Sequence, residues 1–303
     1  MEKLEVIGGK KLKGNIKISG SKNSSLPILA ATLLSNKKVK ILNLPKVKGI
    51  ETMLLLLRSL GSKIKLNKKN KSVDIDNSKN INIFASYNLV KTMRAGILVL
   101  GPLLARFGQA KVSLPGGCAI GSRPIDLHLD ALKKMGASIK IKDGYILASA
   151  KKGLKGCFIK FPKISVGATE NLIIAASLAK GKTILKNCAI EPEIGDLINF
   201  LRKMGCNIKW TGKRTVTIIG VKKLKEAKYK IMFDRVSLIQ IVIKKIEAKV
   251  YLEIGVFKGY SFLKTICKNK IGIDPCFKIK KIKKNKNLIK QVNSSIVFRN
   301  KFS

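Results

Sequence analysis

Histidine is almost absent from this 303-residue chain: His128 is the only one. None of the six cysteines stands in a C-x-x-C pair, and no histidine stands at metal-ligand spacing from them. A zinc site and a disulfide framework are therefore both excluded as expectations, and scattered reduced thiols are the default. No charge-free apolar run reaches the roughly 18 residues of a membrane-spanning helix. The N-terminus, MEKLEVIGGKKLKG, lacks the apolar core of a signal peptide. A cytoplasmic location with no membrane partner is the expectation.

Acidic residues are scarce as well, 17 against 62 basic, for a net charge of +45. Such an excess could serve nucleic-acid phosphates through counterion release. A nucleic-acid surface, however, clusters its charge, favours arginine and interleaves aromatics. Here only eight of the 62 basic residues are arginine, lysine is spread through every segment, and aromatics make up 6%. The composition reads against nucleic acid as a partner, while the positive field suits small anionic substrates. A hydrophobic fraction of 46% is that of a folded chain with a core, and the length leaves room for two domains.

What the chain does have is an internal repeat. LLLLRSLGSKIKL (54–66), LDALKKMGASIKI (129–141) and LINFLRKMGCNIKW (197–210) each read as an amphipathic helix followed at once by a short strand. Gly61, Gly136 and Gly205 occupy the place of a left-handed helix C-cap, roughly 70 residues apart. Earlier small-residue helices are predicted over 24–35, 92–108 and 168–181. Strands follow them at 38–43, 111–115 and 182–187, and further strands close each unit at 72–76, 144–149 and 215–220. With an entering strand, the pattern is βαβαββ three times. Helices that are apolar nearly all round are buried helices. The predicted class is therefore α/β (α+β), an inside-out α/β domain of three repeats with pseudo-threefold symmetry. The alternative is an ordinary two-layer α/β domain.

The densest chemistry lies in PGGCAIGSRPIDLH (115–128). Cys118 sits between glycines, where backbone N–H groups can converge on an anion. Arg123 follows five residues on and can hold a carboxylate or phosphate bidentately. A thiol near a fixed cation has the setting that lowers its pKa and makes it useful. A glycine-rich turn around a structural cysteine is the competing reading.

Together with the repeat, this loop and the segments GSKNSSLPILAATLL (20–34), LVKTMRAGILVLGPLLARFG (89–108) and KISVGATENL (163–172) resemble the enolpyruvyltransferase family. The cysteine loop points to its branch acting on UDP-N-acetylglucosamine, and the resemblance covers residues 1 to about 236. It implies transfer of enolpyruvyl from phosphoenolpyruvate to the sugar 3′-hydroxyl, the first committed step of peptidoglycan synthesis, with phosphate released. Phosphoenolpyruvate is then a co-substrate, and neither cofactor nor metal is implied. The resemblance makes Cys118 the proton donor on a closing lid. Lys22 and Asn23 become contacts to phosphoenolpyruvate and the sugar. Arg94 and Arg123 hold the reactants, and Lys48 is a basic residue near the cleft. Arg123, Pro124, Ile125, Asp126 and Leu127, with Lys163, Ile164, Ser165 and Val166, match nucleotide-sugar-binding stretches. Glu191 and Glu193 read as structural, and His128 as a hydrogen-bonding residue that ends the loop.

The family has two such domains with the active site between them, and its first residues pack with the second domain. Here the expected boundaries are 1–21 for those strands, 22–235 for the enolpyruvyltransferase domain and 236–303 for a tail. The second domain, with its aspartate base and closing arginine, is missing, so the chain is expected to be truncated and weakly active or inactive alone. A missing second-domain chain is a candidate partner. The tail stretch KVYLEIGVFKGYSFLKTICKNKIGIDP (249–275) reads strand, glycine turn, helix, strand. Its Glu253, Gly255, Gly259 and Asp274 resemble the start of a class I S-adenosylmethionine-dependent methyltransferase, a partial Rossmann-like fragment. Residues 278–291 read as a basic helix or solvated tail. The alternative function is a non-catalytic UDP-sugar-binding remnant fused to a methyltransferase fragment.

Overall fold

The computed structural model describes residues 19–231, apart from 68, 70, 92 and 116–124, together with Val250–Ile254, Asn269–Ile273 and Asn287–Lys290. The chain divides into two compact units, one of them Ser19–Phe233.

That unit repeats one motif three times. The first copy holds α1 (Lys22–Ala31), β1 (Val39–Leu42), α2 (Lys48–Ser59), β2 (Lys63–Asn67) and β3 (Ser72–Asp76). The second holds β4 (Phe84–Ala85), α3 (Tyr87–Val90), α4 (Leu100–Phe107), β5 (Gln109–Ser113), α5 (Asp126–Lys134), β6 (Ser138–Lys142) and β7 (Tyr145–Ser149). The third holds β8 (Phe158–Lys160), α6 (Val166–Ala176), β9 (Lys182–Lys186), α7 (Pro192–Lys203), β10 (Asn207–Gly212) and β11 (Thr215–Ile219), after which comes β12 (Ala227–Lys230).

Three four-stranded sheets result, in the orders β12-β1-β3-β2, β4-β5-β7-β6 and β8-β9-β11-β10. In each, the first pair is parallel and the other two antiparallel. The strand entering the first sheet is β12, from the end of the unit, so the three copies close into a ring. Its pairing with β1 puts Ala227 opposite Val39, a closure the repeat pattern alone did not reveal.

The apolar helices lie inside. In α6 every residue from Ala168 to Ala176 is buried, polar Thr169, Glu170 and Asn171 included. In α1 burial runs from Ser24 to Ala31. By contrast α2 buries one face, with Ile50, Met53, Leu54, Leu56 and Leu57 inward, the pattern of a helix lying between core and surface. The inside-out arrangement, rather than a two-layer sandwich, is thus the one adopted. The 92–108 stretch is not one helix. Arg94–Val99 winds as 3-10 turns before α4 begins, and that tighter pitch carries Arg94 to the mouth of a cleft.

The repeat glycines do what their positions require. Gly61, Gly136 and Gly205 have φ of +99°, +93° and +96°. After each, the next N–H turns back onto the helix: Ser62 to Leu57, Ala137 to Leu132 and Cys206 to Leu201, at 3.0, 3.1 and 3.0 Å. A side chain at those φ values costs roughly 1 kcal/mol or more.

The remaining described strands form a sheet of their own, β13 (Val250–Ile254), β14 (Asn269–Ile273) and β15 (Asn287–Lys290), all parallel. The first two fall where the sequence predicts strands. The predicted helix between them, with Gly255, Gly259 and Asp274, lies outside the described residues. Residues 287–290 correct the expectation of a helix or solvated tail. Lysine richness is a statement about solvation, whereas the ladder is built from main-chain groups that any such sequence carries. Among the described residues no helix is long and apolar enough to cross a membrane.

Candidate active-site cleft

The N-terminal ends of the buried helices converge. Ser21 caps α1, its side chain accepting from the Ser24 N–H at 3.3 Å, and Ser165 caps α6 by accepting from the Ala168 N–H at 3.2 Å. First-turn N–H groups have no intrahelical acceptor, and the helix dipole adds partial positive charge there. Two such ends on one cleft make a seat for anionic groups.

The cleft itself has a volume of about 630 Å³ and is lined by α1, the turns around Arg94, by Pro115 and Ile125, and by α5, α6 and α7. It gathers Asn23, Arg94, Ile125, Leu127, Lys163, Ile164, Ser165 and Val166 from the residues singled out in the sequence. Lys22 and Lys48 are not in its wall. The Lys22 side chain lies against the start of α2, where a Cβ on Gly49 would stand 3.0 Å from its Cε, and Lys48 opens that helix. Asp126 begins α5 and is exposed, outside the lining. Cys118, Arg123 and Pro124 lie outside the described residues.

Three lining groups were not assigned to the cleft from sequence. Glu170 is 5% exposed, and burial, with the charges of Glu193 and Glu191, pushes its carboxyl well above the usual range. Glu193 is also raised, by burial and by Glu191, against the lowering effect of hydrogen bonds from backbone and from the Asn23 side chain. It therefore ties α7 to α1 at the cleft. Glu191 accepts from the Ile190 N–H at 2.8 Å. His128 is the hydrogen-bonding residue expected, with its Nδ1 3.0 Å from the Asn171 amide nitrogen. Burial and the Arg94 cation push its pKa down to about 4, so it is neutral at physiological pH.

A second cavity of about 610 Å³ lies at the C-terminal ends of the same helices, lined by Leu34, Arg106, Leu154, Lys180 and Leu224 among others. Its one arginine is engaged with three main-chain carbonyls, and the helix dipoles there oppose anions. Cys188 and Cys206 are buried core thiols, raised chiefly by burial, and inert at neutral pH. Among the described residues no cluster of three or more His, Cys, Asp or Glu is placed to hold a metal ion.

Residues 6–243 match the family model for EPSP synthase (3-phosphoshikimate 1-carboxyvinyltransferase). The UDP-N-acetylglucosamine 1-carboxyvinyltransferase of Pelagibacter ubique is 62% identical over 299 residues, 99% of this chain and 66% of that protein. Those of Coxiella burnetii and Rickettsia akari are 52% and 54% identical over 237 and 239 residues, each alignment spanning 78% of this chain. The chain spans from about half to two-thirds of the length of these curated relatives. The Pelagibacter alignment runs on through the tail, past the boundary near 236 expected from sequence. Among solved structures, the enolpyruvyl transferase NikO from Streptomyces tendae superposes with a TM-score of 0.66 at 21% identity, covering 78% of this chain and 55% of that one. EPSP synthase from Acinetobacter baumannii gives 0.62 at 20%, covering 78% of this chain and 53% of that one. At these identities the likeness is one of fold.

Proposed function

The chain belongs to the EPSP synthase family of carboxyvinyltransferases, and from that membership we propose that its cleft binds UDP-N-acetylglucosamine and phosphoenolpyruvate. The unit supplies one half of a site that transfers enolpyruvyl to the sugar 3′-hydroxyl. The observation that carries this reading is the convergence of Asn23, Arg94, Lys163, Ser165 and Val166 on one cleft at two helix N-termini. Relatives from three organisms bearing the UDP-N-acetylglucosamine name support the acceptor over shikimate 3-phosphate.

In this reading the first-turn amides of α6 and the Arg94 and Lys163 cations take the nucleotide diphosphate. Lys22, Lys48 and Arg123 hold the carboxylate and phosphate of phosphoenolpyruvate, and Asn23 orients the sugar. Pro124, Ile125, Asp126 and Leu127, with Ile164, flank the nucleotide. The sugar oxygen adds to the carbon bearing the phosphate, and the Cys118 thiol gives its proton to the methylene carbon. The hydroxyl proton leaves to a base that we assign to no residue of this chain. Loss of a methyl proton and departure of phosphate then restore the double bond in the enol ether. No cofactor is assigned, and the setting is the cytoplasm.

We place the enolpyruvyltransferase domain at 22–235, strands that meet a second domain at 1–21 and a partial Rossmann-like tail at 236–303. The parallel order of β13, β14 and β15 supports the Rossmann-like reading. The Pelagibacter alignment favours a second one, in which those residues are carboxyvinyltransferase sequence.

Thermal unfolding with candidate ligands tests the function, because a ligand bound only by the folded state raises the midpoint. UDP-N-acetylglucosamine should raise it, further with phosphoenolpyruvate, and shikimate 3-phosphate should not. Stabilisation by shikimate 3-phosphate alone, or by none of the three, would sink the reading.

A further inference from the structure

His128 and Asn171 form a buried pair whose geometry fixes more than a contact. The Asn171 Oδ1 accepts from the Gly101 N–H at 2.9 Å, and its Nδ2 donates to the Ile97 carbonyl at 3.3 Å. Turning the amide over would set Nδ2 against an N–H and Oδ1 against a carbonyl, two repulsions in a dry interior. The amide orientation is therefore determined, and it is the Nδ2 side that meets the His128 Nδ1 at 3.0 Å. An amide NH₂ only donates, so Nδ1 must accept, and the ring proton resides on Nε2.

That Nε2 edge stands against the first turn of α6, whose Gly167 also lines the cleft. His128 is in the cleft wall beside Gly167, where a Cβ would stand 3.5 Å from Nε2. Among the described residues no group takes the Nε2 proton. Its charged surroundings are Arg94 from the 3-10 turns, Lys163 before α6, Glu170 on α6 and Glu193 on α7. Arg94 opposes a second positive charge on the ring, and burial acts in the same direction. Burial also pushes the Glu170 carboxyl well above the usual range, which disfavours a counter-charge beside the ring.

We propose that Asn171 is a positioning residue that holds His128 as an Nε2–H donor to an acceptor oxygen of the nucleotide-sugar ligand at the Ser165–Gly167 edge. The ligand half of this inference rests on the function proposed above; the tautomer half stands on the hydrogen bonds alone. The division of labour is physical. Arg94 and Lys163 attract charge over distance, whereas a neutral donor of fixed direction selects the position of one oxygen without changing state between pH 5 and 8.

Because the chain has one histidine, long-range proton–nitrogen correlation on the ¹⁵N-labelled full chain reads its ring without ambiguity. The expected spectrum shows protonated Nε2 and bare Nδ1 from pH 8 down to pH 5, with the Nε2 signal moving when UDP-N-acetylglucosamine is added. Asn171→Ala should mix the tautomers and weaken that ligand roughly tenfold. Should that variant not fold, His128→Ala should lose the same roughly tenfold. His128→Gln, with an N–H at the ε position, should then recover most of it, and His128→Asn should not. Protonated Nδ1, a titration near the ordinary histidine value, or equal affinities for the Gln and Asn variants would overturn the proposal. If the ligand shifts no signal in the whole spectrum, the nucleotide-sugar contact falls with the function it rests on. The tautomer of the unliganded chain then decides the role of Asn171 by itself.

Discussion

The Arg106 guanidinium donates to the Leu33 carbonyl at 2.9 Å, so a residue of α4 closes the chain end that follows α1. The same group reaches the Ser35 and Asn77 carbonyls, both at 3.0 Å. One planar fork thus satisfies three acceptors that the helix end and a loop leave over. Arg106→Met should cost about 3 kcal/mol in urea unfolding, since carbonyls lose their donor without gaining water. Arg106→Lys should recover only part, because an ammonium cannot span all three. Equal stability of the wild type and the Met variant would contradict this account.

Close approach of α4 to α6 depends on Gly101. A Cβ there would meet the Asn171 carbonyl oxygen at 2.7 Å and press on its side-chain amide oxygen closer still. Gly101→Ala should lose about 2–3 kcal/mol and also disturb the His128 ring, which depends on the same amide. Gly195→Ala, in α7 with open space at its Cβ, is the control and should change stability little. A neutral Gly101 variant would show that the helices can part without cost.

His128 and Glu170 predict opposite pH slopes. The histidine pKa is depressed to about 4 in the folded chain. Its stability contribution is therefore whole above the unfolded value near 6.5 and is lost as pH falls toward 4, by about 3 kcal/mol. Glu170 is raised, so its contribution is whole below the unfolded value near 4.5 and declines as pH rises through the folded pKa. Denaturant midpoints followed against pH should show His128→Gln flattening the acid side. Glu170→Gln should be more stable than wild type at pH 7, with the difference closing toward pH 4. A Glu170→Gln variant that is less stable at pH 7 would mean that the carboxyl is charged and paired.

Much of this was legible in the sequence, for reasons that the fold explains. Gly61, Gly136 and Gly205 follow amphipathic helices because only glycine takes the φ found there, so the threefold repeat could be counted. Asn23, Arg94 and the Lys163–Val166 stretch were singled out through the motifs that resemble the enolpyruvyltransferase family, not through a local physical signature. What could not be read depends on distance in sequence. β12 reaches back to β1, Arg106 to Leu33, and Asn171 to both Gly101 and His128, and no local pattern announces such partners. Glu170 looked like one more residue of a helix, and its burial beside Glu193 shows only once α6 and α7 are packed. The 3-10 turns of Arg94–Val99 were read as helix because periodicities of 3.0 and 3.6 are hard to tell apart over six residues. Strand β15 was hidden by its lysine-rich surroundings.

Calorimetric titration of the full chain with UDP-N-acetylglucosamine tests the central claim most directly. The account predicts a single saturable site whose affinity falls with added salt. Arg94→Ala should weaken it at least about tenfold, and Arg58→Ala, on the far surface of α2, should leave it unchanged. Absence of saturable binding, or binding indifferent to Arg94, would contradict it.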